Sequence, residues 1–572
     1  MFTTKDRQHH LNKPEVVILV FILAWMTMNF IQAAFTELLH DEAYYWVWSK
    51  NLAWGYFDHP PMVALWIFFS QAIFSGELGV RLMTVAMSGG FIYGLWKLVT
   101  PYYRNVKAFI LIAAGTVFIQ VYGFITTPDA PLMFFAVIYL LIYRRVLDHL
   151  SLQNILLWGL SMALLMYSKY HGFLLIVFSI LAHWSWLKNP RFYLAVLIGI
   201  MLYSPHLLWQ YHHDFPSLQY HLVDRGSKSI NPLKVLTNVL NPLYIIGPLV
   251  LYYFIAAVRR SAPTPFEKSL KWIFWGILGF FTLSSLTYKD SVYAQWLVLI
   301  IIPGVYFVYQ WLNEHPGRFR TFSITALISI GALLMLRVII VSPWCPNNLE
   351  FRGNQRWVDE IKAHAGAYRV IFENSYALAS KYWFYSGDSA FTQCNAVYHL
   401  SQYDLWDLEE DYQHRQVLFI GNKYLDTVYG FRGLPLPAGK RDTLWAKYYQ
   451  DYTSANHLIL HVESMPYSAR GKDTIHTQAV LINPYNRRIE FENTEVRKII
   501  YAQIYRKKNF VAEELVTIPK LTFIGPRDSL PLKLAFVLPP LNGEYLIRFV
   551  LRHDQVEGTA LSTLYPLKIS TK

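Results

Sequence analysis

The sequence predicts a polytopic α-helical membrane protein with a soluble, strand-rich C-terminal part. Three observations carry this. Of 572 residues, 54% are hydrophobic and only 16% charged, and membrane-length apolar runs crowd the first 342 positions. From about Ser342 hydropathy falls, and Pro, Asn and charged residues become frequent. Beyond about Asn456, short alternating segments follow one another between turn residues.

The first run, Val16 to Thr36, carries no charge and is long enough to cross the hydrocarbon core. It exceeds a signal-peptide core and no A-x-A site follows, so it is expected to be an uncleaved anchor. Further spans are expected near 78–99, 107–125, 131–147, 152–168, 170–187, 191–209, 241–258, 270–287, 294–312 and 320–341, about eleven in all. The run at 62–75 is shorter and follows Pro60-Pro61, as a re-entrant or interfacial helix would. Lys5, Arg7 and Lys13 precede the first span. Alternate loops then carry Lys97/Arg104/Lys107, Arg144/Arg145, Lys188/Arg191, Arg259/Arg260 and Arg318/Arg320. The positive-inside rule places these in the cytoplasm and the other loops, with everything after about Val341, outside. The net charge of +13 is spread over these loop ends and the outer part, and no DNA- or RNA-binding module is present.

Three parts are therefore expected: a transmembrane domain over 1–342, an outer α/β segment over 343–455 and an outer β-sandwich over 456–572. In the middle part, Arg369-Val-Ile-Phe-Glu-Asn, a helical run through Tyr382 and Gln416 to Asn422 read as strand, helix and strand. Sandwich strands are expected at 457–464, 477–483, 487–492, 501–507, 513–524, 532–538, 544–552 and 563–569. The only cysteines, Cys345 and Cys394, both fall after the last span, where a disulfide or two buried thiols are equally open.

The loop after the first span holds Asp41-Glu42-Ala-Tyr-Tyr and Tyr56-Phe-Asp58-His59-Pro60-Pro61. Carboxylates are costly beside a bilayer, which makes such a cluster a candidate site. On a short helix, Asp41, Tyr45 and Trp48 share one face while Glu42 points about 100° away, so the two acids have different tasks. A carboxylate among aromatics can serve as a general base; the plainer alternative is an acid pair favouring the helix dipole. Asp58 and His59 stand at the next helix start, where they would either bind an anion or cap the helix. Asp129 in Thr126-Thr-Pro-Asp-Ala-Pro would sit at the outer membrane edge, either as a functional acid or as the cap of the following helix. Lys169 in Ser168-Lys-Tyr-His171 either meets a phosphate or snorkels to the interface. Trp209 to Arg225 is rich in hydrogen-bonding aromatics, and its histidines lack the spacing of a known metal motif.

In this order these pieces resemble the family-39 glycosyltransferases of the GT-C class, which include protein O-mannosyltransferases and bacterial transferases using undecaprenyl-phosphate sugars. The similarity runs over roughly 15–310 and rests on Asp41-Glu42-Ala-Tyr-Tyr, Tyr56 to Pro61, Arg81, Thr127 to Pro131, Ser168-Lys169-Tyr170 and Pro205 to Arg225. It implies a GT-C-like fold, a polyprenyl-phosphate-sugar donor, a lipid, glycan or protein acceptor, and inversion at the anomeric carbon on the outer face of a bacterial inner membrane. Asp41 matches the general-base position, with Glu42 beside it as a second catalytic acid. Asp58 and Asp129 match cavity acids that hold a divalent metal (Mg, Mn or Zn) in some relatives. Lys169, Arg81, His59 and Arg225 are the candidate phosphate ligands, and Tyr44, Tyr45 and His171 the candidate sugar or acceptor contacts. His59 stands where lysine is frequent in the family, and no clean Lys-x-x-Asn-Trp pattern occurs near Lys289. Two other classes compete: a transporter or flippase, which should show repeated halves and midplane charges, and a membrane-anchored envelope-assembly protein.

Overall fold

The computed structural model describes residues 13–100, 103–224, 232–288, 292–346, 349–396, 398–421, 432–435, 443–492, 495–507, 509–519, 521–553 and 556–570. The chain divides into two compact units, Met1–Arg352 and Gly353–Lys572.

The first unit is a helical membrane bundle. Its leading helices are α1 (Lys13–Phe35), α2 (His40–Lys50), α3 (Met62–Gln71), α4 (Gly76–Val99), α5 (Val106–Gly115), α6 (Val117–Val121), α7 (Asp129–Asp148), α8 (Leu152–Ser168), α9 (Gly172–Leu181) and α10 (Pro190–His212). All eleven expected spans are helical, but not all are full crossings. Among the described residues, six helices are long and apolar enough to cross a membrane: α1, α4, α7, α10, Ala294–Glu314 and Pro316–Val341. The bent pair Leu233–Ile246 and Pro248–Val258 makes a seventh if it counts as one span. The expected 107–125 span is interrupted at Thr116, whose backbone is extended between α5 and α6. Side chains answer the carbonyls freed there, with Thr116 Oγ1 donating to Ile112 O at 2.8 Å and Gln120 Nε2 to Ala114 O at 2.8 Å. Broken helices survive at membrane depth only with such repairs. The 241–258 run bends by 106° at Gly247, whose φ of +103° suits glycine and which Pro248 follows. The short α3 takes the place of the expected interfacial segment and packs Met62 and Trp66 against Ala130 of α7.

Large aromatics fill the interior of the bundle, Trp96, Trp158, Tyr139, Tyr143, Tyr306 and Tyr309 being fully buried. At one end, basic residues tie helix ends together. Lys97 meets Glu15 at 2.9 Å, Arg144 donates to Leu98 O, and Arg260 bridges Glu267 and Glu314. The opposite end carries Asp41, Glu42, Asp58 and Asp129.

The second unit starts with helix Asn354–Ala365 and a five-stranded sheet. Strands Ala390–Gln393, Arg369–Glu373 and Arg415–Gly421 run parallel, and Thr443–Tyr452 and Arg432–Pro435 continue the sheet antiparallel. Helix Tyr376–Ser386 supplies the predicted crossover. From Ile459 onward the unit is almost entirely strand. A six-stranded sheet built around Lys498–Arg506 and Gly543–His553 faces a three-stranded one centred on Thr474–Ile482. Their inner faces share one apolar core, with Phe536 and Phe549 at 5.7 Å across it. Cys345 and Cys394 are both buried free thiols.

Candidate active site

The acid pair separates in the structure as the helical spacing requires. α2 is buried along nearly its whole length, and Asp41 is one of its two exposed residues, Lys50 being the other. Glu42 turns inward and is fully buried. It accepts from Arg81 through Nε at 2.7 Å and Nη2 at 2.5 Å, from Thr126 N at 2.9 Å and from Leu39 N at 3.1 Å. The last of these closes the first turn of α2. Arg81, also fully buried, donates further to the carbonyls of Ala33, Thr36 and Glu37 at the end of α1. Arg81 was expected at the donor phosphate, but its guanidinium is committed to Glu42 and these carbonyls. Glu42 is likewise fixed by four donors rather than poised as a second catalytic acid.

A second buried pair lies nearby. Lys169 Nζ reaches both oxygens of Asp129, at 2.7 and 2.8 Å, with both side chains about 95% buried. The snorkelling alternative for Lys169 therefore does not hold, because the ammonium lies inside the protein. An ammonium has three N–H groups, and Asp129 takes two.

Tyr122, just before the 123–128 turn, stands next to this pair. Burial first, and then the charge of Asp129 with a smaller push from Asp41, hold its phenol well above the ordinary range. Tyr122 thus lies within electrostatic reach of both acids and lines a small pocket with Trp25, Trp66, Thr84, Met87 and Phe134 among others. Sequence reasoning missed it because it fell inside the expected 107–125 span.

The loop between α2 and α3 brings in the remaining residues. His59 lies with its ring 6.0 Å from both Tyr45 and His221, and Asp58 O accepts from His221 Nε2 at 2.9 Å. Burial and then the Asp58 charge raise the Tyr170 phenol above its usual range. Tyr44 and Tyr45 were expected as sugar contacts, but they pack against Trp48 at 4.9 and 4.7 Å and are almost fully buried. His171 stacks on Phe281 at 5.2 Å. Arg225 lies outside the described residues.

A divalent metal does not fit the described donor set. No group of three His, Cys, Asp or Glu residues gathers among the described residues, and Asp129, one of the two acids expected to hold it, is neutralised by Lys169.

Known proteins bear on the fold and the class of activity. Residues 58–209 match the family described as Dolichyl-phosphate-mannose-protein mannosyltransferase. The lipid A galacturonosyltransferase RgtD of Rhizobium johnstonii is 25% identical over 316 residues, covering 50% of this chain and 63% of that protein. The chain thus spans just under two thirds of the length of that curated relative. The crystal structure of ArnT from Cupriavidus metallidurans in the apo state is similar in fold, with a TM-score of 0.55 and 12% identity over 75% of this chain and 98% of that one. The helical bundle followed by a β-rich C-terminal unit has an ArnT-like fold. The chain is thus similar to membrane glycosyltransferases in sequence over part of its length, and to ArnT in fold.

Proposed function

We propose that this protein is an inverting glycosyltransferase that moves a sugar from a polyprenyl-phosphate donor to a hydroxyl acceptor at the outer face of the bacterial inner membrane. One observation carries the reading. Asp41 is exposed at the start of α2, while its neighbour Glu42 turns inward onto the buried Arg81. Asp41 would take the proton from the acceptor hydroxyl as its oxygen bonds to the anomeric carbon. The bond from that carbon to the phosphate oxygen breaks in the same displacement, and its electron pair leaves with polyprenyl phosphate. Charge developing on the leaving phosphate needs a fixed cation. The third N–H of Lys169 is suited to that, with His59 as a second donor. Glu42 and Arg81 serve as the anchor that fixes α2, and much of the acceleration would come from orientation.

The charged groups of the site gather at one end of the bundle and not at midplane, which supports a transferase over a transporter. RgtD is named for galacturonosyl transfer to lipid A. Undecaprenyl-phosphate galacturonic acid with lipid A is therefore the first donor and acceptor pair to offer purified protein, with other sugars and acceptors following. Asp41→Asn keeps the shape of the carboxylate but removes its basicity, and turnover should fall by roughly a hundredfold or more while donor affinity holds. Near-normal turnover in folded Asp41→Asn protein would remove the base assignment.

A further inference from the structure

Three carbonyls of the loop between α2 and α3 are gripped by side chains from one later stretch. His206 Nδ1 lies 2.7 Å from Trp54 O, Ser217 Oγ 3.1 Å from Tyr56 O and His221 Nε2 2.9 Å from Asp58 O. Carbonyls only accept, so the proton on each of these groups is assigned. A neutral His206 that carries its hydrogen on Nδ1 has Nε2 left as an acceptor, and the Tyr170 hydroxyl is 3.1 Å from it. Tyr170 therefore donates to His206, and its oxygen accepts from Gln210 Nε2 at 3.0 Å. The second N–H of that amide goes to Ser217 Oγ at 2.8 Å, and Ser217 passes its own hydrogen to Tyr56 O. The chain of bonds runs from one loop carbonyl to another in a consistent donor-to-acceptor sense. His206, Gln210 and Ser217 are all buried, so the bonds are shielded from competing water.

The loop backbone is also laid directly on α10. A Cβ on Gly55, between the first two gripped carbonyls, would come 2.4 Å from the Trp209 ring and 2.9 Å from His206 Nδ1. Only a residue without a side chain permits this approach. The gripped loop ends in Asp58 and His59, and Tyr170 is the chain neighbour of Lys169.

We infer that Tyr170 and His206 are positioning residues that hold the Asp58–His59 loop in register with Lys169, so that both face one donor phosphate. The inference rests on the proposed function and adds two residues to it, neither of which touches the reacting atoms. A hydrogen bond used only for folding would change stability and leave the donor kinetics alone. A positioning bond changes the apparent affinity for donor.

Tyr170→Phe removes one hydroxyl and keeps the ring. With undecaprenyl-phosphate galacturonic acid as donor, its KM should rise roughly tenfold, the scale of one lost buried hydrogen bond, with kcat and thermal midpoint close to wild type. His206→Asn keeps an N–H near the place of Nδ1 for Trp54 O and should recover part of the loss seen in His206→Ala. Hydrogen exchange of the 51–59 amides gives a readout that needs no substrate and should accelerate in Tyr170→Phe and His206→Ala. Unchanged exchange, or a donor KM unmoved in Tyr170→Phe, overturns the inference. A wild-type protein that transfers no sugar from any polyprenyl-phosphate donor overturns the proposed function instead, and accelerated exchange in the same protein would still establish the joint.

Discussion

The candidate site and one network of the second unit bury charge in opposite ways. Around the candidate site each buried carboxylate has a buried cation, Glu42 with Arg81 and Asp129 with Lys169. In the second unit, Lys498 and His553 are buried with neutral partners. Lys498 Nζ donates to Thr453 Oγ1 at 2.7 Å, and burial with the nearby Arg487 charge pulls its ammonium down to about 8. His553 lies between Gln393 and the backbone N–H of Ala455, and burial with the charges of Lys498 and Arg487 keeps the ring well below its usual range. The site thus keeps full charges by pairing them. The network of the second unit discourages charge, which suits a structural seam.

The sharpest way to break this contrast is at Arg81. Arg81→Met strands Glu42 among four former donors reduced to two, and losing one partner of a buried pair costs about 3–5 kcal/mol. Thermal unfolding of the detergent-solubilised protein should show it, with Arg81→Lys recovering only part because an ammonium lacks the planar fork. Wild-type stability in Arg81→Met would mean that the pair is not an anchor.

Lys169→Met should have a smaller effect on folding, at the lower end of the same range, because Tyr122 still faces Asp129. Adding Asp129→Asn removes the stranded charge and should return most of the stability. Donor use should remain down by roughly tenfold in the double variant, as expected for a lost bond to a charged group. Donor kinetics that recover together with stability would reduce Lys169 to a partner for Asp129.

The smallest effect belongs to His553. Its folded form resists protonation, so below the ordinary histidine range the unfolded chain binds a proton that the folded one does not. Stability from this group is complete above about pH 6.5 and is lost as pH falls below it. Asp404 works in the other sense, since burial raises its carboxyl to about 6 and its cost disappears in acid. Protection of the Gly543–His553 strand amides should fall from pH 7 to pH 5, and His553→Gln should flatten that dependence. Equal slopes in the two proteins would show that the seam does not depend on the neutral ring.

These contrasts also mark what the sequence can reveal. Helix positions were legible because long apolar runs have few other solutions, and the separation of Asp41 from Glu42 followed from helical spacing alone. The pairing was not legible. Arg81 stands 39 residues from Glu42 and Lys169 stands 40 from Asp129, distances that only the packed bundle closes. The interruption at Thr116 was hidden by a run that stays apolar through both halves. In the second unit, the strand, helix and strand of the α/β segment were readable, but the Ala390–Gln393 strand has only four residues, too few to show a period. The edges of the later strands were set by pairing across the sheets, which local alternation does not encode.

The bend at Gly247 has a consequence for biogenesis. The insertion machinery meets nascent segments one at a time and responds mainly to their length and apolarity. By that measure 241–258 presents as a single passenger, whereas the finished fold turns it through 106°. A straight crossing would have to be remodelled once the downstream helices Pro265–Ser284 and Ile301–Glu314 emerge to pack against it. This corner is therefore a late event in synthesis. A side chain at Gly247, disfavoured by the positive φ there, would be felt first as failed maturation of the newly made protein and only afterwards as altered chemistry.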